Sequence, residues 1–206
     1  MNKTQDNLIL LNCIFITALV ISNVIAVKVI SVFGLITSAA TFCYPMTFLI
    51  TDIIGEIWGR QEANKTVSRG IICQVISTIL IFSGILLPPA DFMKDYQEIY
   101  KQVLGGSSRL VFASLVAFSI SQLNDIFFFH KISNLTKGNK KWLRNNISTF
   151  ISQTLDTSIF VTIGFWGIVP NILVMIIGQL IIKWAWALFD TPFFYYFTRG
   201  WKATSE

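Results

Sequence analysis

The chain has 206 residues, of which 53% are hydrophobic and 13% charged, with mean hydropathy +0.63 and formal net charge +5. Soluble domains carry roughly 25% charged residues, so half the usual solvating charge, with apolar residues in long blocks, excludes an ordinary soluble domain. The composition reads as an all-α integral membrane protein, one domain over residues 1–206.

In chain order, six segments are long and apolar enough for a helix that needs about 20 residues to cross a bilayer. They are residues 8–30, 34–57, 67–87, 109–130, 145–166 and 170–191. The first is long and no A-x-A-like cleavage site follows it, so it reads as a retained helix, not a signal peptide. Breakers mark the edges: Gly34, Pro88–Pro89, Gly105–Gly106, Gly138, Pro170 and Pro192. Pro45 falls inside the second span, where a kink is tolerable if neighbours satisfy the freed carbonyl. Cys13, Cys43 and Cys73 sit in apolar runs without a CxxC pattern, as small buried hydrophobes do.

Lys and Arg set the orientation. Arg60, Lys65 and Arg69 follow span two, and Lys131, Lys137, Lys140, Lys141 and Arg144 follow span four. The head carries Lys3, and the tail carries Arg199 and Lys202. The segments after spans one and five hold no positive cluster, so the N- and C-termini both read as cytoplasmic. The same distribution explains the net charge without nucleic acid as a partner. Residues 88–108 are long enough for a short amphipathic helix on the outer face, a tether or a lid. The sequons at Asn2, Asn64, Asn134 and Asn146 fall in or at the edge of cytoplasmic segments, which argues against glycosylation.

Ionisable groups inside a membrane cost roughly 2.5–3.5 kcal/mol each at mid-helix. Their placement is therefore informative. In span five Asn145, Ser148, Thr149, Ser152, Gln153 and Asp156 form one stripe at about 100° per residue. Span four repeats the theme with Ser114, Ser121, Gln122 and Asp125, so a Q-x-x-D spacing occurs twice. Span two adds Thr51, Asp52 and Glu56, span six Gln179 and Lys183, and span one Asn23. Such faces converge on an interior, partly wet cavity. The structural alternative is that hydroxyls and amides join helices, with Lys183 neutralising Asp125 or Asp156.

A carboxylate beside an amide can read a planar heterocycle, accepting two adjacent N–H groups as a guanine-type edge offers them. Phe118, Phe129 and Phe160 lie near the polar stripes for stacking. Enzyme motifs do not occur: HExxH, GxSxG, the P-loop and the dinucleotide fingerprint are all missing. The single histidine, His130, has no metal partners nearby in sequence. A non-enzymatic protein without cofactor or metal is expected.

The segments TDIIGEIWG (51–59), SQLND (121–125), WLRNNISTFISQTLDTSIF (142–160) and KWAWALFDTPFFY (183–195) resemble the queuosine-precursor transporter family, also described as vitamin-uptake-transporter-like. The resemblance spans most of the chain. It implies a six-helix, multi-pass importer in the inner (cytoplasmic) membrane for 7-deazaguanine bases: 7-cyano- or 7-aminomethyl-7-deazaguanine, or queuine. It also implies that Asp52, Glu56, Gln122, Asp125, Arg144, Gln153, Asp156, Lys183 and Asp190 fall on the family's polar positions. Asn23, Phe118 and Phe160 join the candidate substrate-binding set from the helical reading. Trp58 departs from the Tyr expected in that pattern and touches no proposed contact. The first reading is a secondary transporter, with Glu56 a candidate proton carrier and a homodimer compatible with so small a chain. The alternative is the substrate-binding subunit of an energy-coupling-factor importer.

Overall fold

The computed structural model describes the backbone of residues 3–135 and 141–198; at positions 52, 56, 60, 107, 122, 123, 125–135, 141–149, 187–195, 197 and 198 it describes the backbone alone. Helix α1 (Gln5–Ile25) is capped by the Thr4 hydroxyl, which accepts from Asn7 N at 3.4 Å, with Asp6 favourably placed in the first turn. A hairpin of β1 (Val29–Val32) and β2 (Leu35–Ser38) follows, pairing Val29 with Ser38 and Val32 with Leu35. Its two-residue turn places Phe33 at φ 51° and Gly34 at φ 81°, the left-handed geometry that suits the twist of tight hairpins. A 3-10 turn (Ala39–Phe42) leads to α2 (Pro45–Trp58).

Two sequence expectations change here. The second span is not one helix over 34–57, because the β-branched stretch before it turns back on itself and α2 begins only at Pro45. Pro45 therefore occupies a helix start, where its missing N–H has no carbonyl to serve, and no kink arises. Among the described residues the fold is mostly helical, with one small hairpin.

Gly59, at φ 92°, is the only residue between α2 and α3 (Arg60–Leu86), so Lys65 and Arg69 lie on helix, not in a loop. Lys65 pairs with Glu62 at 2.6 Å, and Arg69 donates to Asn12 Oδ1 at 3.5 Å, linking α3 to α1. After a short 3-10 turn (Asp91–Met93) comes α4 (Lys94–Leu135), unbroken through Gly105–Gly106. The short outer helix expected in 88–108 is likewise not separate: from Lys94 on, that segment belongs to α4. A Cβ at Gly106 would lie 3.4 Å from Val27, an ordinary contact just beyond the end of α1. Forty-two residues at 1.5 Å each span about 63 Å, twice a hydrocarbon core, so α4 extends well beyond any bilayer.

Helix α5 (Lys141–Phe165) returns along α4, and α6 (Ile172–Thr198) follows, capped where Asn171 Oδ1 accepts from Val174 N at 3.2 Å. Among the described residues, three stretches are long and apolar enough to cross a membrane: Gln5–Ile25, Gln61–Leu86 and Asp91–Ser121. Ala39–Gly55 and Ile172–Trp186 are shorter apolar helices. Ile72, Ile76, Ile79, Leu80 and Phe82 on α3 all face outward. Such a continuous apolar face fits lipid, not water.

Two apolar clusters hold the bundle. Leu8, Leu11 and Phe15 of α1 pack on Ile50, Ile53, Ile54 and Ile57 of α2. Leu110, Val161, Phe165 and Met175 form the other with Ala26 and Ala40, joining α4, α5 and α6 to the hairpin region. Beside this second cluster lies the cavity.

Candidate functional site

The α5 and α6 wall of the cavity carries its charge. Asp156 and Lys183 are each 7% exposed, and Lys183 Nζ donates to Asp156 Oδ2 at 3.2 Å and to Thr157 Oγ1 at 2.8 Å. Burying either ion alone would cost several kcal/mol; together they are neutral and hydrogen-bonded. The ammonium also sits 5.4 Å from the centre of the Tyr44 ring, within cation–π range. Lys183 thus neutralises Asp156, one of the two partners the sequence allowed.

The other walls are neutral. Ser38, Ala40, Thr41 and Tyr44 come from the segment joining the hairpin to α2. A Cβ on Gly178 of α6 would lie 2.5 Å from the Ile36 carbonyl oxygen, so only glycine lets β2 dock there. Gln179 Nε2 then reaches Ser38 Oγ at 3.5 Å, and Thr37 and Thr41 share a hydroxyl contact of 2.7 Å. Helix α4 supplies Ser114, α5 supplies Phe160, and α1 with its C-terminal cap supplies Ser22, Asn23 and Ala26. The Asn23 amide donates to Leu19 O at 3.1 Å and to Gln74 Oε1 at 3.2 Å.

Of the residues selected from sequence, Asn23, Ser114, Asp156, Phe160, Gln179 and Lys183 line this cavity. Gln153 and Phe118 are half-buried and lie outside its lining. The side chains of Asp52, Glu56, Gln122, Asp125, Arg144 and Asp190 lie outside the described residues, though their backbone is helical. Ser22, Ser38, Thr41, Tyr44 and Thr157 were not selected. Thr157 had a signal, since it adjoins Asp156 on the same helix. The hairpin residues had none, because their segment was read as helix.

The α4–α5 register bears on the repeated Q-x-x-D spacing. Arg109 of α4 donates to Ile163 O and Trp166 O, both at 2.8 Å, and a Cβ at Gly164 would meet Leu110. The two helices are therefore antiparallel, with 110 level with 164. Counting from there puts position 122 level with about 152 and position 125 with about 149, while Asp156 lies level with 118. The two amide positions share a level; the two aspartate positions stand about seven residues, or ~10 Å, apart.

Chemically, the α5–α6 wall presents an acceptor and a donor side by side. Asp156 can accept two N–H groups while Lys183 donates to a carbonyl oxygen, which complements a guanine-type edge. Tyr44 and Phe160 offer ring faces for stacking.

The family model described as "Putative vitamin uptake transporter" matches residues 38–197. The chain belongs to this transporter family. That match contains every cavity residue except the three from α1 and its cap. The transporter is 32% identical over 181 residues to a Bacillus subtilis protein named "Probable queuosine precursor transporter", covering 86% of this chain and 79% of the relative. It is 26% identical over 145 residues to the Escherichia coli "Queuosine precursor transporter", covering 70% and 62% of the two chains. A Haemophilus influenzae protein named "Probable queuosine precursor transporter" is 24% identical over 126 residues, 61% of this chain and 51% of that one. No solved structure matches the transporter. Family membership and the apolar helices together make it a multi-pass membrane protein with a transport role.

Proposed function

We propose that this protein imports queuosine precursors as free 7-deazaguanine bases across the cytoplasmic membrane, acting as a secondary transporter. The observation that carries the reading is the buried Asp156–Lys183 pair lining a cavity beside Tyr44 and Phe160. Relatives named for queuosine precursors supply the substrate class, and the pair supplies a matching edge. Asp156 accepts the ring N–H and the exocyclic amine, while Lys183 donates to the ring carbonyl. The 7-cyano and 7-aminomethyl bases and queuine all present this edge.

In this reading the whole chain, 1–206, is one six-helix domain with both termini cytoplasmic, as the basic segments after spans two and four suggest. The hairpin then caps the cavity on the outer side, and Asp52, Glu56, Gln122, Asp125 and Arg144 line the route toward the cytoplasm. Glu56 is the proposed proton carrier, and two copies form the working unit.

Uptake of labelled 7-cyano-7-deazaguanine by proteoliposomes holding this chain alone tests the proposal. Accumulation driven by an inward proton gradient is expected. Uptake indifferent to the gradient removes proton coupling, and uptake that requires a separate ATPase module replaces the proposal with the energy-coupling-factor reading.

A further inference from the structure

Ser22 is 1% exposed, and its hydroxyl has no hydrogen-bond partner. Buried hydroxyls are almost always paired, so an orphan calls for a specific explanation. Several helical hydroxyls bond back to the preceding turn: Thr51 to Thr47 O at 3.0 Å, Thr66 to Glu62 O at 3.0 Å, Thr78 to Gln74 O at 2.8 Å, Ser158 to Thr154 O at 2.7 Å; the buried Ser108 hydroxyl of α4 is also unpaired, but it lies outside the cavity lining. Ser22 does not bond back, although it sits near the end of α1 with the same option open. It is a lining residue of the cavity that Asp156 and Lys183 also line.

Its neighbour is held in a fixed orientation. Both amide hydrogens of Asn23 are engaged, one by Leu19 O and one by Gln74 Oε1. The group that Asn23 has left to offer the cavity is its carbonyl oxygen, an acceptor. The α1 wall therefore presents a hydroxyl that can donate or accept, next to an acceptor, with no ionised group. That chemistry fits a neutral N–H donor.

We infer that Ser22, seconded by Asn23, is a ligand-contact residue that accepts the five-membered-ring N–H of the base and thereby selects free bases over N9-substituted ones. The inference rests on the transport reading above: with the six-membered-ring edge on Asp156 and Lys183, the pyrrole N–H is the donor left at the far end of the ring. A nucleoside carries a sugar at that nitrogen, so it loses the contact. Discrimination between base and nucleoside is then a property of α1, a helix outside the matched family segment.

The test is equilibrium binding of 7-cyano-7-deazaguanine and its 9-methyl derivative to the purified full chain, in wild type, Ser22→Ala and Ser22→Cys. Wild type should bind the 9-methyl compound at least tenfold more weakly than the parent. Ser22→Ala should weaken the parent by about threefold to tenfold, the worth of one hydrogen bond. It should also reduce the methylation penalty to about threefold or less, with Ser22→Cys intermediate. The unliganded melting temperature should not fall in Ser22→Ala, since no bond within the fold is lost. Parent affinity unchanged in Ser22→Ala would mean that water alone serves the hydroxyl, and an unchanged methylation penalty would mean that another group reads the nitrogen. Either result overturns the inference while leaving the transport reading intact. Failure of the parent base to bind wild type overturns the transport reading itself.

Discussion

Two walls of the cavity handle polarity in opposite ways. On α5 and α6, Asp156 and Lys183 satisfy each other, and Thr157 takes a further ammonium proton. On α1, Ser22 is left unpaired and Asn23 is tied back to Gln74. The charged wall is thus part of what holds the fold, and any ligand must compete with or insert into an existing pair. The Ser22 hydroxyl makes no hydrogen bond within the fold, so its polarity is free for the ligand. Substitutions on the first wall should damage stability and binding together, whereas those on the second should separate them.

The largest effect is expected from Asp156→Ala, which leaves the Lys183 ammonium buried without its carboxylate. Breaking a buried pair on one side costs about 3–5 kcal/mol, readable as a steep drop in thermal stability in detergent. Asp156→Leu combined with Lys183→Met should recover most of that loss while still abolishing base binding. A double variant no more stable than Asp156→Ala would show that the two residues are not energetically coupled.

Gly178→Val comes next, because any Cβ there meets the Ile36 backbone. Overpacking of this kind costs about 1–3 kcal/mol and should lift the hairpin from α6, lowering base affinity as well as melting temperature. Normal binding in Gly178→Val would detach the hairpin from the site.

Arg109→Ala removes the donor that serves the last carbonyls of α5 at a solvent-facing position. A loss of about 1 kcal/mol is expected, as a small melting shift with binding intact. Ser22→Ala should be smallest, within about 0.5 kcal/mol of wild type in stability. A clear destabilisation there would place Ser22 with the structural residues.

The sequence disclosed the membrane character, the helical runs and the polar stripe that holds Asp156, because each is a periodic or compositional signal. It offered two partners for Lys183, and only tertiary packing of α5 against α6 selects Asp156. The hairpin was illegible since Val29–Ser38 is as apolar as the helices around it, and its turn residues Phe33 and Gly34 carry a weak signal. Gly105–Gly106 misled in the other direction: glycine pairs usually end helices, but here α4 runs straight through them. The repeated Q-x-x-D spacing suggested two faces meeting in one pocket. Antiparallel geometry brings together the amide positions and parts the aspartate positions, which spacing along one strand of text does not reveal.

The central claim is that Asp156 and Lys183 together read the base edge, and direct binding tests it most simply. Isothermal titration of the purified chain with 7-cyano-7-deazaguanine, in wild type, Asp156→Asn and Lys183→Gln, is the measurement. The account predicts saturable one-site binding in wild type, weakened at least tenfold in each variant while both remain folded. Wild-type affinity retained in folded Asp156→Asn would contradict it.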